Sequence, residues 1–192
     1  MAEKQHSIFF APEQHITLPD PPVVEWTLDI GGGGEGAMGQ WIGGHVIALD
    51  MSEEELTEAP PGPLKMVGDG SETPFLDGGF DLVTMFFVMM YAAPGKREKL
   101  WREAWRVLKP GGRVLLWGLM IPPHDGIHDL YAIHLTIDHP GGEIKTGYGT
   151  RWEGYAQDKK RHIEWARDAG FAIRQETSDV IFHIEAIKGD SA

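Results

Sequence analysis

A glycine cluster that follows a short apolar segment constrains this chain most. Residues 26–30 are mostly apolar or β-branched, carry one acidic residue, Asp29, and run directly into four consecutive glycines. A buried strand that ends in glycines can turn sharply and let a ligand approach the main chain. Gly31, Gly33 and Gly36 also fit the spacing G-x-G-x-x-G, which is typical of strand-to-helix turns that bind nucleotide-like ligands. The turn is therefore predicted to hold such a cofactor.

Strand-like and helix-like segments alternate along the rest of the chain. The predicted strands are 25–30, 45–50, 64–67, 80–87, 113–121, 171–176 and 180–187, and the predicted helices are 37–42, a short one capped by Ser52, 96–108 and 158–169. The 80–87 segment is continuously apolar, which favours a parallel sheet covered by helices on both faces. The predicted fold class is α/β: a doubly wound, mostly parallel, seven-stranded Rossmann-like sheet whose last strand is antiparallel.

The chain divides into an N-terminal arm, residues 1–24, and a single domain, residues 25–192. The arm is rich in proline and is predicted to be irregular, with its apolar segment 8–10 in a groove. Residues 122–157 form an insertion after the fifth strand, predicted to fold as a β-hairpin from 131–137 and 143–148. We expect this hairpin to be a substrate lid; the alternative is that segment 131–148 pairs with a second subunit in a homodimer.

Charge and composition exclude several classes of function. The formal net charge of −12 disfavours nucleic acid as a partner, since a phosphate backbone would be repelled over most of the surface. The absence of cysteine excludes disulfides, thiolate metal sites and a cysteine nucleophile. No apolar run approaches the ~20 residues that span a bilayer, and no targeting signal is visible. We therefore expect a cytoplasmic protein without membrane contact.

Short blocks in a fixed order carry a resemblance to a known family. They are Leu-Asp-Ile-Gly-Gly-Gly-Gly at 28–34, Ala-Leu-Asp at 48–50, Gly-Asp-Gly at 68–70, Phe-Asp-Leu-Val at 80–83 and Arg-Val-Leu-Lys-Pro-Gly-Gly-Arg at 106–113. Together they resemble the class I S-adenosylmethionine-dependent methyltransferases, over residues 25–188. The last block is similar to the small-molecule branch related to ubiquinone and menaquinone biosynthesis enzymes. The resemblance implies S-adenosylmethionine as cofactor and a small-molecule methyl acceptor.

The resemblance also implies which residues hold the nucleoside part of the cofactor. Asp50 would accept hydrogen bonds from both ribose hydroxyls, because a carboxylate offers two acceptor oxygens to a diol. Met51 would pack on the adenine, and Asp69 would accept from the exocyclic amine. Gly70 would let the base lie close to the backbone.

The methionine part is expected to lie over the glycine turn. The backbone at Gly31 and Gly33 would pass beneath it, Asp29 would orient the turn, and the Met85 carbonyl would accept from the ammonium group. The family pattern usually has a third glycine where this chain has Glu35. The resemblance therefore leaves open whether Glu35 reshapes the turn or places a carboxylate near the positive charge of the cofactor.

The glycine spacing by itself favours a nicotinamide enzyme, which is the first alternative. Against it, Asp50 follows Gly36 by 14 positions, whereas the dinucleotide fingerprint has its acidic residue about 20 positions on. The second alternative is a cofactor-binding sensor or partner subunit without transferase activity, because the sequence shows no unambiguous catalytic base.

Candidate acceptor-site residues lie after the fourth strand and in the insertion. Phe86, Tyr91, Tyr148 and Trp152 are predicted to contact the acceptor, although for Phe86 taken alone a place in the core is favoured over contact with the acceptor. His124, His128 and Tyr148 are the candidates for a general base, since methyl transfer needs a base only when the nucleophile is protonated. His124 and His128 have ligand-capable spacing, but a lone surface histidine is more often not a ligand, and no metal is predicted.

Overall fold

The computed structural model describes residues 6–189, which form two β-sheets and four α-helices. In chain order the elements are β1 (Ile8–Phe10), β2 (Gln14–Thr17), β3 (Thr27–Ile30), α1 (Ala37–Ile42), β4 (Val46–Asp50), α2 (Glu53–Glu58), β5 (Leu64–Val67), β6 (Phe80–Phe86), α3 (Pro94–Val107), β7 (Leu108–Leu119), β8 (Leu130–His139), β9 (Gly142–Arg151), α4 (Lys159–Asp168), β10 (Phe171–Ser178) and β11 (Ile181–Lys188). A 3₁₀ turn, Val88–Met90, follows β6.

The larger sheet has seven strands in the order β10-β11-β7-β6-β3-β4-β5. Strands β7, β6, β3, β4 and β5 are parallel, and β11 runs antiparallel to both of its neighbours. The predicted fold class is confirmed. The chain leaves β3 toward β4 on one side and later returns to β6 on the other, so a crevice forms outside the carboxyl ends of β3 and β6.

The two faces of this sheet are covered differently. On one face, helices α3 and α4 pack over a core that includes Trp101, Leu116 and Phe182. The last residue of β11, Lys188, donates from Nζ to the carbonyl oxygens of Trp105 and Leu108, 2.7 Å each, at the carboxyl end of α3. The other face packs against α1 and the second sheet. The hairpin insertion thus contributes to the core and is not a separate appendage.

The second sheet contains the predicted hairpin and part of the N-terminal arm. Strands β8 and β9 pair antiparallel over their whole length, so the hairpin insertion is confirmed and is longer than predicted. The arm is not irregular throughout: β1 and β2 both pair in parallel with β8, on the edge opposite β9. Ile8 and Phe10 lie exposed on β1 and do not fill a groove. Such short strands give little sequence signal, because the open edge of β8 stabilises them.

Other boundaries differ slightly from the sequence predictions. Strand β7 begins at Leu108, directly after α3, because Leu108 pairs with Phe80 before the register shifts at Arg113. The first five residues of the predicted arm and the last three of the predicted domain lie outside the described residues. Within residues 6–189, no helix is long and apolar enough to cross a membrane.

Candidate cofactor and acceptor site

A cavity of about 410 Å³ opens at the carboxyl ends of β3, β4, β5 and β6, in the crevice where the strand order reverses. This is where open α/β sheets bind ligands, and the volume suits a ligand the size of a nucleoside derivative. The predicted cofactor residues that line it are Asp29, Gly31, Gly33, Glu35, Asp50, Met51, Asp69 and Gly70. The structure therefore brings residues from three separate blocks of sequence to one site.

At the glycine turn the cavity is lined by backbone peptide groups without side chains. Gly31 has φ +78°, and a Cβ there would lie 2.6 Å from Cγ2 of Val88. A Cβ on Gly33 would lie 2.6 Å from Cβ of Glu55. Side chains are thus excluded from the turn by conformation and by space, which leaves a smooth surface that a ligand can approach closely. This cradle fits the cofactor that the sequence predicts.

Asp50 lies at the end of β4, beside the glycine turn. Its Oδ2 accepts from the backbone N–H of Gly33, 3.3 Å away, and its Oδ1 accepts from the N–H of Ser52 at 2.9 Å. These bonds orient the carboxylate and still leave lone pairs on both oxygens. The arrangement is the one that a ribose diol requires of an acceptor.

Asp69 follows β5, the strand next to β4, and also lines the cavity. The Lys96 ammonium, 2.6 Å from Oδ2, and the hydrogen bonds from Ser71 lower the pKa of Asp69 to about 2. Asp69 is thus a permanent carboxylate whose oxygens are already partly engaged. Met51 lies nearby with 67% of its surface exposed, an apolar side chain available to a planar ligand.

Asp29 lies beneath the glycine turn and is 2% exposed. Burial raises its pKa to about 7, the carboxylates of Glu35 and Asp50 add to the rise, and the hydrogen bond from the Thr84 hydroxyl at 2.7 Å opposes it. The hydroxyl donates to Oδ1 and fixes the orientation of the carboxyl group. Asp29 therefore changes its charge near neutral pH, directly below the turn.

Glu35 bridges the glycine turn and the insertion hairpin. Its Oε1 accepts a hydrogen bond from the hydroxyl of Tyr148 on β9, and both side chains line the cavity. The Tyr148 ring stacks on Phe87, with centroids 4.7 Å apart, and meets Phe86 edge to face at 6.3 Å. Burial and the nearby Glu55 carboxylate raise the pKa of Glu35. The residue that departs from the family pattern is thus in contact with the predicted lid.

Tyr91 completes the mouth of the cavity, together with Phe86. Burial against its neighbours raises the pKa of the half-exposed Tyr91 to about 12, and the carboxylates of Glu35 and Glu55 contribute to that rise. Its hydroxyl is therefore neutral at physiological pH. Phe86, Tyr91 and Tyr148, all predicted acceptor contacts, form one aromatic side of the cavity.

Four predicted site residues do not line this cavity. Met85 is fully buried within β6, where it is in register with Ile30 and Leu116, and Phe86 and Val88 line the wall in its place. Trp152, His124 and His128 lie in a separate aromatic cluster: the His124 and His128 rings contact Trp152 at 5.7 and 6.3 Å. Trp152 lies outside the cavity because it follows the end of the long strand β9, beyond Tyr148, which reaches the cavity.

His124 and His128 are held by local hydrogen bonds. Nε2 of His124 lies 2.7 Å from the carbonyl oxygen of His128, and Nδ1 of His128 lies 2.6 Å from Oδ2 of Asp125. Across residues 6–189, no three His, Asp or Glu side chains are grouped so as to hold a metal ion. The histidine candidates for a base are therefore placed away from the cavity.

Sequence reasoning missed two charged residues that line the cavity, Glu55 and Lys96. Glu55 lies in the first turn of α2, the helix that Ser52 was predicted to cap, and its N–H donates to Ser52 Oγ at 3.1 Å. Lys96 lies in the first turn of α3, which follows β6 and the 3₁₀ turn. The only sequence feature that pointed to Lys96 as a site residue was the Gly-Asp-Gly block at 68–70, because a carboxylate at the end of a strand needs a cation or a hydrogen-bond donor nearby.

Comparisons with known proteins agree with this geometry. Residues 28–116 match the family described as "Methyltransferase domain". Over 167 residues the chain is 31% identical to the ubiquinone/menaquinone biosynthesis C-methyltransferase UbiE of Vibrio campbellii, a match that covers 75% of this chain and 63% of that protein. It is 40% identical over 79 residues to the demethylmenaquinone methyltransferase of Listeria monocytogenes, covering 37% of this chain and 32% of that one.

A solved structure shares the fold at low identity. The S-adenosylmethionine-dependent methyltransferase from Mesorhizobium loti superposes with a TM-score of 0.61 at 16% identity, over 89% of this chain and 94% of that one.

The strand order, the glycine turn and the crevice together define a class I methyltransferase fold. The chain resembles the S-adenosylmethionine-dependent methyltransferases, and among them it is similar to the ubiquinone and menaquinone biosynthesis enzymes. S-adenosylmethionine is the cofactor of this family. The chain spans less than two thirds of the length of the curated relatives it matches.

Proposed function

We propose that this protein transfers the methyl group of S-adenosylmethionine to a small aromatic acceptor. The observation that carries the proposal is a single cavity with two unlike sides. One side is formed by the bare glycine turn with Asp50 and Asp69, and the other is the aromatic side of Phe86, Tyr91 and Tyr148. A polar nucleoside fits the first side, and a flat apolar acceptor fits the second.

The chain's own residues would act mainly by positioning. Asp50 would hold the ribose diol, Asp69 the exocyclic amine and Met51 the adenine face, as the family resemblance implies. The cofactor supplies a methyl group that is already activated by its positive sulfur. Holding the acceptor atom in line with that methyl group lowers the activation free energy of transfer, because the entropy of orientation is already lost when the acceptor binds.

The hairpin of β8 and β9 is proposed to act as the acceptor-side lid. Gly147 and Tyr148 of β9 line the cavity, and Tyr148 contacts the glycine turn through Glu35. The relative from Vibrio campbellii is named as a C-methyltransferase of ubiquinone and menaquinone biosynthesis, which supports a quinone-like ring as acceptor. Homodimer formation through the hairpin and a cytoplasmic location stay predictions.

The test is calorimetry combined with a transfer assay. We expect S-adenosylmethionine and S-adenosylhomocysteine to bind and NAD to give no heat of binding, and we expect methyl transfer to at least one aromatic acceptor. Binding of NAD without either sulfur compound would mean that the protein is a nicotinamide enzyme. Binding of the sulfur compounds without transfer to oxygen, nitrogen, sulfur or carbon acceptors would identify a sensor or partner subunit.

A further inference from the structure

The Glu35–Tyr148 pair joins two parts of the chain that are 113 positions apart. Glu35 belongs to the glycine turn, and Tyr148 belongs to the insertion hairpin. Both side chains line the same cavity, on its aromatic side. Tyr148 is only 9% exposed, and its ring is held by the stack on Phe87. The pair is therefore fixed in place and faces the ligand space.

The direction of the hydrogen bond leaves the pair ready to accept a proton. The Tyr148 hydroxyl donates its hydrogen to the Glu35 carboxylate, so the lone pairs of the Tyr148 oxygen remain free to accept a second hydrogen bond. A hydroxyl group of a ligand in the cavity would be the donor. The chain of atoms would then run from the ligand hydroxyl through Tyr148 to Glu35.

The surroundings of Glu35 make its carboxylate a stronger base than an exposed one. Burial is the largest cause that raises the pKa of Glu35, the Glu55 carboxylate adds to it, and hydrogen bonds from the Glu35 backbone and the Thr146 side chain oppose it. Glu35 in turn raises the pKa of Asp29 and Tyr91, and it accepts a hydrogen bond from Tyr148. Among the described residues, no Lys or Arg ammonium or guanidinium group forms an ion pair with Glu35. Protonation of Glu35 therefore relieves repulsion between carboxylates as well as the cost of burial.

Other candidate bases are less well placed. His124 and His128 lie in the aromatic cluster around Trp152, away from the cavity. Tyr91 is a neutral phenol whose pKa is raised, and it has no carboxylate hydrogen-bonded to it in the described structure. Asp29 lies beneath the glycine turn, with its Oδ1 engaged by Thr84. Of the two phenols that line the cavity within residues 6–189, Tyr148 is the one hydrogen-bonded to a carboxylate; the Ser71 hydroxyl also donates to a carboxylate, that of Asp69, whose pKa is lowered to about 2.

We infer that Tyr148 and Glu35 form a proton relay, and that the methyl acceptor is an aromatic compound with a hydroxyl group that loses its proton during transfer. Tyr148 is the catalytic residue, because it would touch the acceptor, and Glu35 is the final proton acceptor. The inference rests on the proposed methyltransferase function. It also gives a role to the residue that replaces the usual third glycine.

The step balances in atoms and charge. The acceptor hydroxyl gives its proton to the Tyr148 oxygen while Tyr148 gives its own proton to Glu35, which becomes neutral. The electron pair left on the acceptor oxygen forms the new bond to the methyl carbon, and the sulfur keeps the electron pair of the bond that breaks. For methylation at the neighbouring ring carbon, the same electron pair acts through the ring, and the hydrogen of that carbon then moves to the oxygen. The positive charge of the methyl donor and the negative charge of Glu35 disappear together.

The test compares Tyr148→Phe and Glu35→Gln with the native protein on two probe acceptors. Catechol must lose a proton to react, whereas 4-nitrocatechol is largely ionised already near neutral pH. Tyr148→Phe keeps the ring that stacks on Phe87, and Glu35→Gln keeps the shape of the side chain. Tyr155→Phe, which removes a hydroxyl outside the cavity, is the matched control. Calorimetry with S-adenosylmethionine measures cofactor binding in each variant.

We expect both variants to lose roughly 10²- to 10⁴-fold in kcat/KM for catechol, the usual contribution of a positioned general base. Rates with 4-nitrocatechol should change less than tenfold, and the dissociation constant for S-adenosylmethionine should also change less than tenfold. The rise of kcat/KM with pH in the native protein should disappear in Glu35→Gln. Glu35→Asp should recover part of the catechol rate.

Equal losses of kcat/KM on both probes would mean that Glu35 and Tyr148 have a structural role, and would overturn the relay. Methylation confined to amines or thiols would also overturn it. In either case methyl transfer itself would persist, so the proposed function would stand. Absence of transfer to every acceptor class would instead refute the proposed function, and the relay with it.

Discussion

Single residues at the strand ends explain most of the chemistry of the cavity. Asp50 illustrates this, because its carboxylate is oriented by two backbone N–H groups, those of Gly33 and Ser52. A residue held in this way needs no reorganisation when it binds a diol. The family resemblance implied its role at the ribose, and the structure adds the bonds that fix its orientation.

Replacement of Asp50 by Ala should weaken binding of S-adenosylmethionine by about 1–3 kcal/mol, the cost of losing a charged hydrogen-bond acceptor. Asp50→Asn, which can still accept from the Ser52 N–H, should lose less. Isothermal titration calorimetry measures both. An unchanged dissociation constant in Asp50→Ala would show that this carboxylate does not bind the ribose.

Asp29 should make the folded protein less stable as the pH rises. Its folded pKa of about 7 lies above its value in an unfolded chain, so the folded state binds the proton more tightly. The contribution of Asp29 to the free energy of unfolding is therefore most favourable below about pH 4. It falls between pH 4 and pH 7 and is flat above that range.

Asp29→Asn should raise the free energy of unfolding by about 1–4 kcal/mol at pH 8 and have little effect at pH 4, since a neutral amide avoids the cost of a buried charge. Urea unfolding curves across this pH range measure the difference. Asp20→Asn, at an exposed position, is the control. An increase in the free energy of unfolding that is the same at pH 4 and pH 8 would contradict the raised pKa of Asp29.

At the scale of elements, the N-terminal strands are what the sequence analysis missed. Strands β1 and β2 occupy one edge of β8, and the N–H groups of Ala11 and Leu18 donate to carbonyls of Ala132 and Asp138, 2.8 Å each. Their pairing depends on the edge of β8, which lies more than a hundred residues later in the chain, so no local sequence pattern predicts it. The arm in turn supports the hairpin that carries Tyr148.

Removal of residues 1–18 should free the edge of β8 for pairing with another chain. Exposed strand edges promote association, so we expect dimers or larger species together with a lower melting temperature. Light scattering and thermal unfolding measure these effects. Removal of residues 1–5 alone is the control. A truncated protein that stays as monodisperse and as stable as the full chain would show that β1 and β2 contribute nothing to the hairpin.

At the scale of the whole molecule, the cavity joins the main sheet to the second sheet. Ligand in the cavity would contact the glycine turn of the domain and β9 of the insertion together. Binding to the folded state alone stabilises a protein by mass action. The response of global stability to ligands therefore reports on the complete site.

A concentration of S-adenosylmethionine 100 times its dissociation constant should stabilise the fold by about 2.7 kcal/mol. Thermal unfolding monitored by circular dichroism should show a higher melting temperature with this cofactor and with S-adenosylhomocysteine. NAD at the same concentration should leave the melting temperature unchanged. A shift with NAD alone would contradict the assignment of the cavity.

The sequence by itself determined the main sheet and the cofactor side of the cavity. Apolar strands ending in Gly31, Asp50 and Asp69 follow local rules: periodicity forms each strand, and parallel strands bring their carboxyl ends to one edge. The tertiary structure decided the acceptor side. It placed His124, His128 and Trp152 elsewhere, added Lys96 and Glu55, and joined Glu35 to Tyr148 across 113 positions. Those contacts depend on how the hairpin packs on the sheet, which is a property of distant surfaces and not of local sequence.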